Sequence, residues 1–163
     1  IGVDLAKTVD YTVLTVLCVE DKRIVEIQRF NTVEYVTQLS RLESLANKYR
    51  ASTVVIETNN TGQAFIELAR RALTAKIIRF DTTSASKQKL IDSLVIAFEK
   101  QEIAIPDEMA LIGELLAYEA ETLPSGNIRY SAPSNQHDDM VMSLGFAWYG
   151  LKKTIRNFET INF

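Results

Sequence analysis

The sequence predicts an α/β domain built on a mixed sheet. Three strand-like runs follow one another at the N-terminus, helical and strand-like segments then alternate, and a long apolar helix closes the chain. With 163 residues, 47% of them hydrophobic, there is enough chain for one compact core and too little for two ordinary domains.

Ile1-Gly2-Val3-Asp4 is a short apolar run that ends in a carboxylate. Tyr11 to Glu20 (YTVLTVLCVE) is rich in β-branched residues and reads as a second strand, and Asp21-Lys22 turns into a third, Arg23 to Phe30, carrying Ile24, Val25 and Ile27. These three strands are expected to form an antiparallel meander. From Val33 to Tyr49, Val36, Leu39, Leu42, Leu45 and Ala46 recur at three and four residues, the spacing of an amphipathic helix. Ser52 to Thr58 (STVVIET) does not alternate and reads as a fully buried strand. Gly62 to Leu73 is again helical through Ala64, Phe65, Leu68 and Ala72; Lys76 to Phe80 is a strand, and Ser84 to Glu99 a helix with Leu90, Ile91, Leu94, Val95 and Phe98 on its apolar face. Asp107 to Ala120 reads as helix, Leu123 to Tyr130 as a hairpin-type turn around Pro124, Ser125 and Gly126, and Asp138 to Lys153 as the last helix. The tail, Thr154 to Phe163, has no evident role, and Phe146, Trp148 and Tyr149 are expected in the core.

Composition narrows the function classes. The longest uncharged apolar stretches, Tyr11 to Val19 and Met140 to Leu151, fall short of the roughly 18–20 residues a membrane helix needs, so no membrane partner is expected. The single Cys18 and the single His137 support neither a disulfide framework nor a zinc cluster, and Cys18 reads as a small buried hydrophobe. A net charge of −3 and a pI near 5.3 argue against coating DNA by bulk electrostatics. Ile1 already lies inside a strand-like run, as expected of one domain, residues 1–163, cut from a longer chain.

Three acidic positions stand where such a sheet can gather carboxylates: Asp4 ends the first strand, Glu57 ends the buried fourth, and Asp138-Asp139 open the last helix. If the first and fourth strands are parallel neighbours, about 4.8 Å separates them. Clustered carboxylates repel unless cations occupy them, and oxygen-only ligands suit Mg²⁺ or Mn²⁺. Two such ions stabilise the attacking and leaving oxygens of a phosphodiester displacement. Each residue also has an ordinary explanation. Asp4 and Glu57 read equally as exposed strand ends, and Asp138-Asp139 as capping and dipole partners at a helix start. What favours a site is the joint pattern of carboxylates closing three separate apolar elements.

Around these, Asp10 reads as a turn residue or a support for the metals, and His137 as a ligand, water-orienting or proton-shuttling group or as an ordinary loop histidine. Asn60, within Asn59-Asn60-Thr61-Gly62, reads as a phosphate-approaching amide or as part of an N-cap. Lys87 and Lys89, near a helix start, read as DNA-phosphate contacts or as a solvated face.

The stretches IGVDLAKTVDYTVLTVL (1–17), VVIETNNTGQAFIELAR (54–70), FDTTSASKQKLIDSL (80–94) and YSAPSNQHDDMVMSLGFAWYGL (130–151) together resemble the nuclease domain of tailed-phage terminase large subunits, in that family's order and over nearly the whole chain. The resemblance implies an RNase H-like fold with a mixed central five-stranded sheet, helices on both faces, and a two-metal endonuclease that cuts double-stranded DNA concatemers during genome packaging. It implies Asp4 as first catalytic carboxylate and metal ligand, Glu57 as second (Asp in some relatives), and Asp138 or Asp139 as third. Its implied partners are double-stranded DNA, a terminase ATPase domain in the same full-length chain, the small terminase subunit and the portal protein, in the cytoplasm of an infected bacterial host. No G-x-x-x-x-G-K-[ST] phosphate loop occurs in the sequence, so this chain is expected to cut and not to translocate, binding DNA weakly by itself. Three alternatives are weighed against this. A Holliday-junction resolvase or transposase-type nuclease shares the acidic set and is separated by a preference for four-way junctions. An actin-like ATPase or sugar kinase, faintly matched by GVDLAKT, needs glycine-rich phosphate loops and a second domain. A docking module predicts that Asp4→Ala changes no activity.

Overall fold

A computed structural model of the protein describes residues 1–6, 11–58, 62–122, 128–134 and 136–161; the side chains of 62 and 156–161 lie outside that description. Five strands form the central sheet: β1 (Gly2–Asp4), β2 (Thr12–Leu17), β3 (Ile24–Phe30), β4 (Thr53–Glu57) and β5 (Lys76–Phe80), in the order β3-β2-β1-β4-β5. β1 to β3 pair antiparallel as a meander, and β1, β4 and β5 run parallel, with Val3 opposite Ile56 and Glu57 opposite Phe80. The helices are α1 (Tyr35–Lys48), α2 (Gly62–Ala72), α3 (Ser84–Glu99), α4 (Met109–Ala117) and α5 (Asp139–Ile161), and β6 (Glu119–Thr122) pairs with β7 (Ile128–Ser131) in a separate ribbon.

Side-chain parity along the strands sorts the core into two layers. Val3, Leu14, Val16, Val54 and Ile56 point to one face, where Leu42 and Leu45 of α1 and Phe65, Ile66 and Ala69 of α2 cover them. Val13 and Leu17 point to the other, against Met140, Leu144, Ala147, Trp148 and Leu151 of α5, while Val55 and Phe80 meet Phe146. Covered on both sides, every residue of β4 is buried, which explains its unbroken apolar run.

Parity also aims the chemistry. Asp4 lies two residues beyond Gly2, which faces α5, and Glu57 lies two beyond Val55, which also packs on α5's Phe146. Both carboxylates therefore leave the strand ends on the α5 side. Ser143 fastens that helix across the sheet: its hydroxyl meets Gly2 O at 3.0 Å, Val13 O at 3.1 Å and Thr15 Oγ1 at 2.9 Å, all buried. Ser143→Ala is expected to destabilise the fold by about 1–3 kcal/mol, the cost of leaving buried polar groups unsatisfied, and a urea melt checks this.

Several expectations change, and one falls outside the described residues. The helix expected to Ala120 stops at Ala117, because Glu119–Thr122 is taken into pairing with β7. The expected hairpin turn at Pro124, Ser125 and Gly126 lies outside the described residues, although the strands flanking it pair. The tail continues α5 to Ile161, and at its start buried Thr154 bonds Thr53 Oγ1 of β4 at 2.8 Å. Cys18 is half-exposed, just past the end of β2 where the register with β3 slips, with its Sγ 3.8 Å from Glu20 Oε2. Phe146 and Trp148 are buried, whereas Tyr149 is only partly so. Among the described residues no helix is long and apolar enough to cross a membrane.

Candidate active site

Asp4 and Glu57 end adjacent parallel strands, one residue beyond the Val3–Ile56 pair, and their carboxyl groups are hydrogen-bonded to each other. Burial, then the charges of Glu57, Asp139 and Asp138 in that order, push the Asp4 carboxyl well above the usual carboxylate range. Asp4 thus senses all three other acids.

Asp138 and Asp139 enter from the start of α5. Asp138 Oδ2 accepts from Lys87 Nζ at 2.8 Å and from Tyr118 OH at 3.3 Å. Burial, followed by the Asp138 charge, pushes the Tyr118 phenol far up, so Tyr118 stays a donor at all ordinary pH. Asp139 is buried, and its Oδ2 accepts from Tyr11 N at 3.2 Å and lies 3.5 Å from His137 Nδ1. The His137 ring meets the Tyr11 ring edge-on at 5.4 Å. Lys87 therefore reaches the acidic cluster, whereas Lys89 is exposed on α3. Asp10 and Asn60 lie outside the described residues.

Three residues at this edge escaped the sequence reading: Tyr118, Tyr11 and Glu114 of α4. Partly buried Glu114 accepts from the amides of Met140 (2.8 Å) and Val141 (3.4 Å) and lies 3.6 Å from Arg29. A signal for it exists in the sequence. Leu111, Glu114, Leu115 and Tyr118 fall at i, i+3, i+4 and i+7, so Glu114 interrupts the apolar stripe of its helix.

The donor set suits a hard divalent cation. Four carboxylates converge, with oxygen the only strong ligand atom apart from the imidazole of His137. Among the described residues no three or more His, Cys, Asp or Glu side chains are grouped so as to hold a metal ion, and Lys87 engages Asp138. The Lys87 ammonium is the cation that partners this cluster here, and a metal ion would bring greater charge to it.

A five-stranded mixed sheet in this order, with acids gathered at the strand ends beneath the start of a closing helix, defines an RNase H-like domain. The chain belongs to the Terminase RNaseH-like domain family, whose model matches residues 1–148. It is 33% identical over 152 residues to the terminase large subunit of Thermus virus P23-45 and 32% identical to that of Thermus phage G20c, covering 91% of this chain in each case. It spans only 30% of the length of each of those relatives. Among solved structures it is similar to the large terminase nuclease of thermophilic phage G20c (TM-score 0.82, 30% identity, 91% of this chain and 79% of that one). The same nuclease with bound magnesium matches at 0.82 and 31% identity, over 91% and 78%. The nuclease domain of gp2 from bacterial virus Sf6, at 9% identity and TM-score 0.68 over 90% and 84%, shares the fold.

Proposed function

We propose that this chain is the nuclease domain of a terminase large subunit: a Mg²⁺- or Mn²⁺-dependent endonuclease that cuts double-stranded viral DNA concatemers during genome packaging. The observation that carries the reading is the convergence of Asp4, Glu57, Asp138 and Asp139, acids from three separate elements, on one edge of the sheet. The G20c nuclease, itself about 30% identical, has been seen with magnesium, which supports the same ligand class here. Asp4, Glu57 and Asp138 or Asp139 would hold one or two divalent ions, which supply a Lewis acid for the phosphate and an activated water. The chain's own groups do the rest. Lys87 Nζ and Tyr118 OH, both donors on Asp138, orient that carboxylate, and the Lys87 ammonium places positive charge beside an incoming phosphate; Asp139 is oriented by Tyr11 N and His137. We further propose that residues 1–163 form one domain of a longer chain bearing the ATPase, working with the small terminase subunit and portal protein in the cytoplasm of an infected bacterium. The test is supercoiled plasmid with Mn²⁺ or Mg²⁺: nicking and linearisation abolished by EDTA are expected. No cleavage with either ion, or cleavage of four-way junctions alone, would overturn the reading.

The same cluster makes a stability prediction. Folding raises the Asp4 carboxyl above its ordinary 3.8, so the native chain binds that proton more tightly than the unfolded one. Asp4 therefore costs no stability below that value, and the metal-free protein loses stability as pH rises above it. Asp4→Asn is expected to raise the metal-free Tm at pH 7, by about 2–4 °C for each kcal/mol of relieved repulsion. The gain should shrink as pH falls towards 4, and saturating Mg²⁺ should reverse the order because only the native parent protein holds the ion. Calorimetric melts at two pH values check this.

A further inference from the structure

The first amides of a helix need acceptors from outside it, and an aspartate at the N-cap ordinarily supplies one. In α5 the residue in that place is Asp138, whose carbonyl accepts from Met142 N at 2.8 Å. Its carboxylate is turned instead to Lys87 and Tyr118. The acceptor for Met140 N and Val141 N comes from another helix, as Glu114 Oε2.

Glu114 is an expensive choice for a cap. Its side chain is only 9% exposed, and its Oε1 is buried without a hydrogen-bond partner, with the Arg29 guanidinium 3.6 Å away as countercharge. It also adds a carboxylate beside an already acidic edge. A serine or asparagine would satisfy amides without burying a charge. Arg29 in turn stacks 3.7 Å over the Tyr11 ring, and Tyr11 N donates to Asp139 Oδ2 at 3.2 Å. The contacts close a ring, from Glu114 through the first turn of α5 to Asp139, on to Tyr11 and Arg29, and back to Glu114.

We propose that Glu114, braced by Arg29, is a positioning residue that caps α5 in trans, releasing the Asp138 carboxylate from capping and fixing Asp139 where it faces Asp4 and Glu57. This rests on the nuclease reading above. Glu114 touches no reacting atom in this account. It acts by holding the first turn of α5, so its loss loosens the third carboxylate and leaves β1 and β4 as they were.

The test is calorimetric titration of Mn²⁺ into DNA-free protein. Glu114→Gln keeps the side chain's volume and one acceptor, and is expected to fold and to bind Mn²⁺ about 10–100-fold more weakly, the usual cost of losing an orienting partner. Cleavage should recover in part at high Mn²⁺. In an Asp139→Asn background the same substitution should weaken binding little further. Arg29→Met, which leaves both amide bonds to Glu114 in place, should weaken it several-fold. A folded Glu114→Gln with unchanged affinity would overturn the proposal, as would an equal loss in the Asp139→Asn background. If Glu114→Gln does not fold, unchanged affinity in Arg29→Met overturns it instead. A parent protein that binds no Mn²⁺ defeats the nuclease reading itself, a result distinguishable from the others.

Discussion

Asp4→Asn is expected to lower Mn²⁺-dependent DNA cleavage by about a thousandfold or more, on the order of 4 kcal/mol of barrier, in a protein whose fold is intact. Asp4 stands at the centre of the cluster: it is bonded to Glu57 and feels Asp138 and Asp139 through space. Asparagine keeps its shape and loses the charge a divalent ion needs. Glu57→Gln is expected to act likewise from the neighbouring strand. Neither side chain belongs to the apolar layers between sheet and helices, so circular dichroism should be unchanged while single-turnover plasmid cleavage collapses. Lys76→Ala, exposed at the opposite end of β5 from Phe80, the register partner of Glu57, serves as the control and should cut at nearly the parent rate. An Asp4→Asn protein within tenfold of the parent would mean that the acids gather for another reason.

Gly2→Ala is expected to be the most damaging single substitution for the fold. α5 crosses β1 so closely that a Cβ on residue 2 would fall on the carbonyl oxygen of Ser143 and the amide nitrogen of Ala147, with the Ala147 Cα 3.1 Å away. These are backbone atoms, and no rotamer change moves them aside. The helix must lift from the sheet, which also breaks the Ser143 bond to Gly2 O. A cost above about 4 kcal/mol is expected, in the class of severe backbone and overpacking defects. For a chain of this size that lowers Tm by roughly 8–16 °C. Because the same crossing sets α5 over the ends of β1 and β4, whatever Gly2→Ala protein remains folded should also bind Mn²⁺ poorly. A melt within two or three degrees of the parent would show that the helix rides higher than described.

Much of this architecture was legible in the residues. STVVIET announces a strand covered on both faces, and the Leu39, Leu42, Leu45 spacing announces α1, because each pattern reports the local geometry that buries it. Glu119–Thr122 was not legible: Glu-Ala-Glu-Thr has no strand bias, and only pairing with Ile128–Ser131 makes it extended. Nor was the fate of Cys18, which depends on a register slip between two strands. At the candidate site, Asp4 and Glu57 stand out because each ends an apolar run, and parity then sends both to the α5 side. Glu114 does not stand out by motif, since its importance lies in a helix N-terminus 26 residues further along the chain. Capping by Asp138 itself was the natural reading of HDDM, and only three-dimensional packing shows a different residue taking the amides of Met140 and Val141.

The most direct measurement is a crystal of the protein soaked in Mn²⁺, with the ion located by its anomalous scattering. Manganese bound by Asp4 together with Glu57 and a carboxylate from the start of α5 is the predicted result. Manganese bound elsewhere, with these four acids turned to solvent or to lysine, would contradict it.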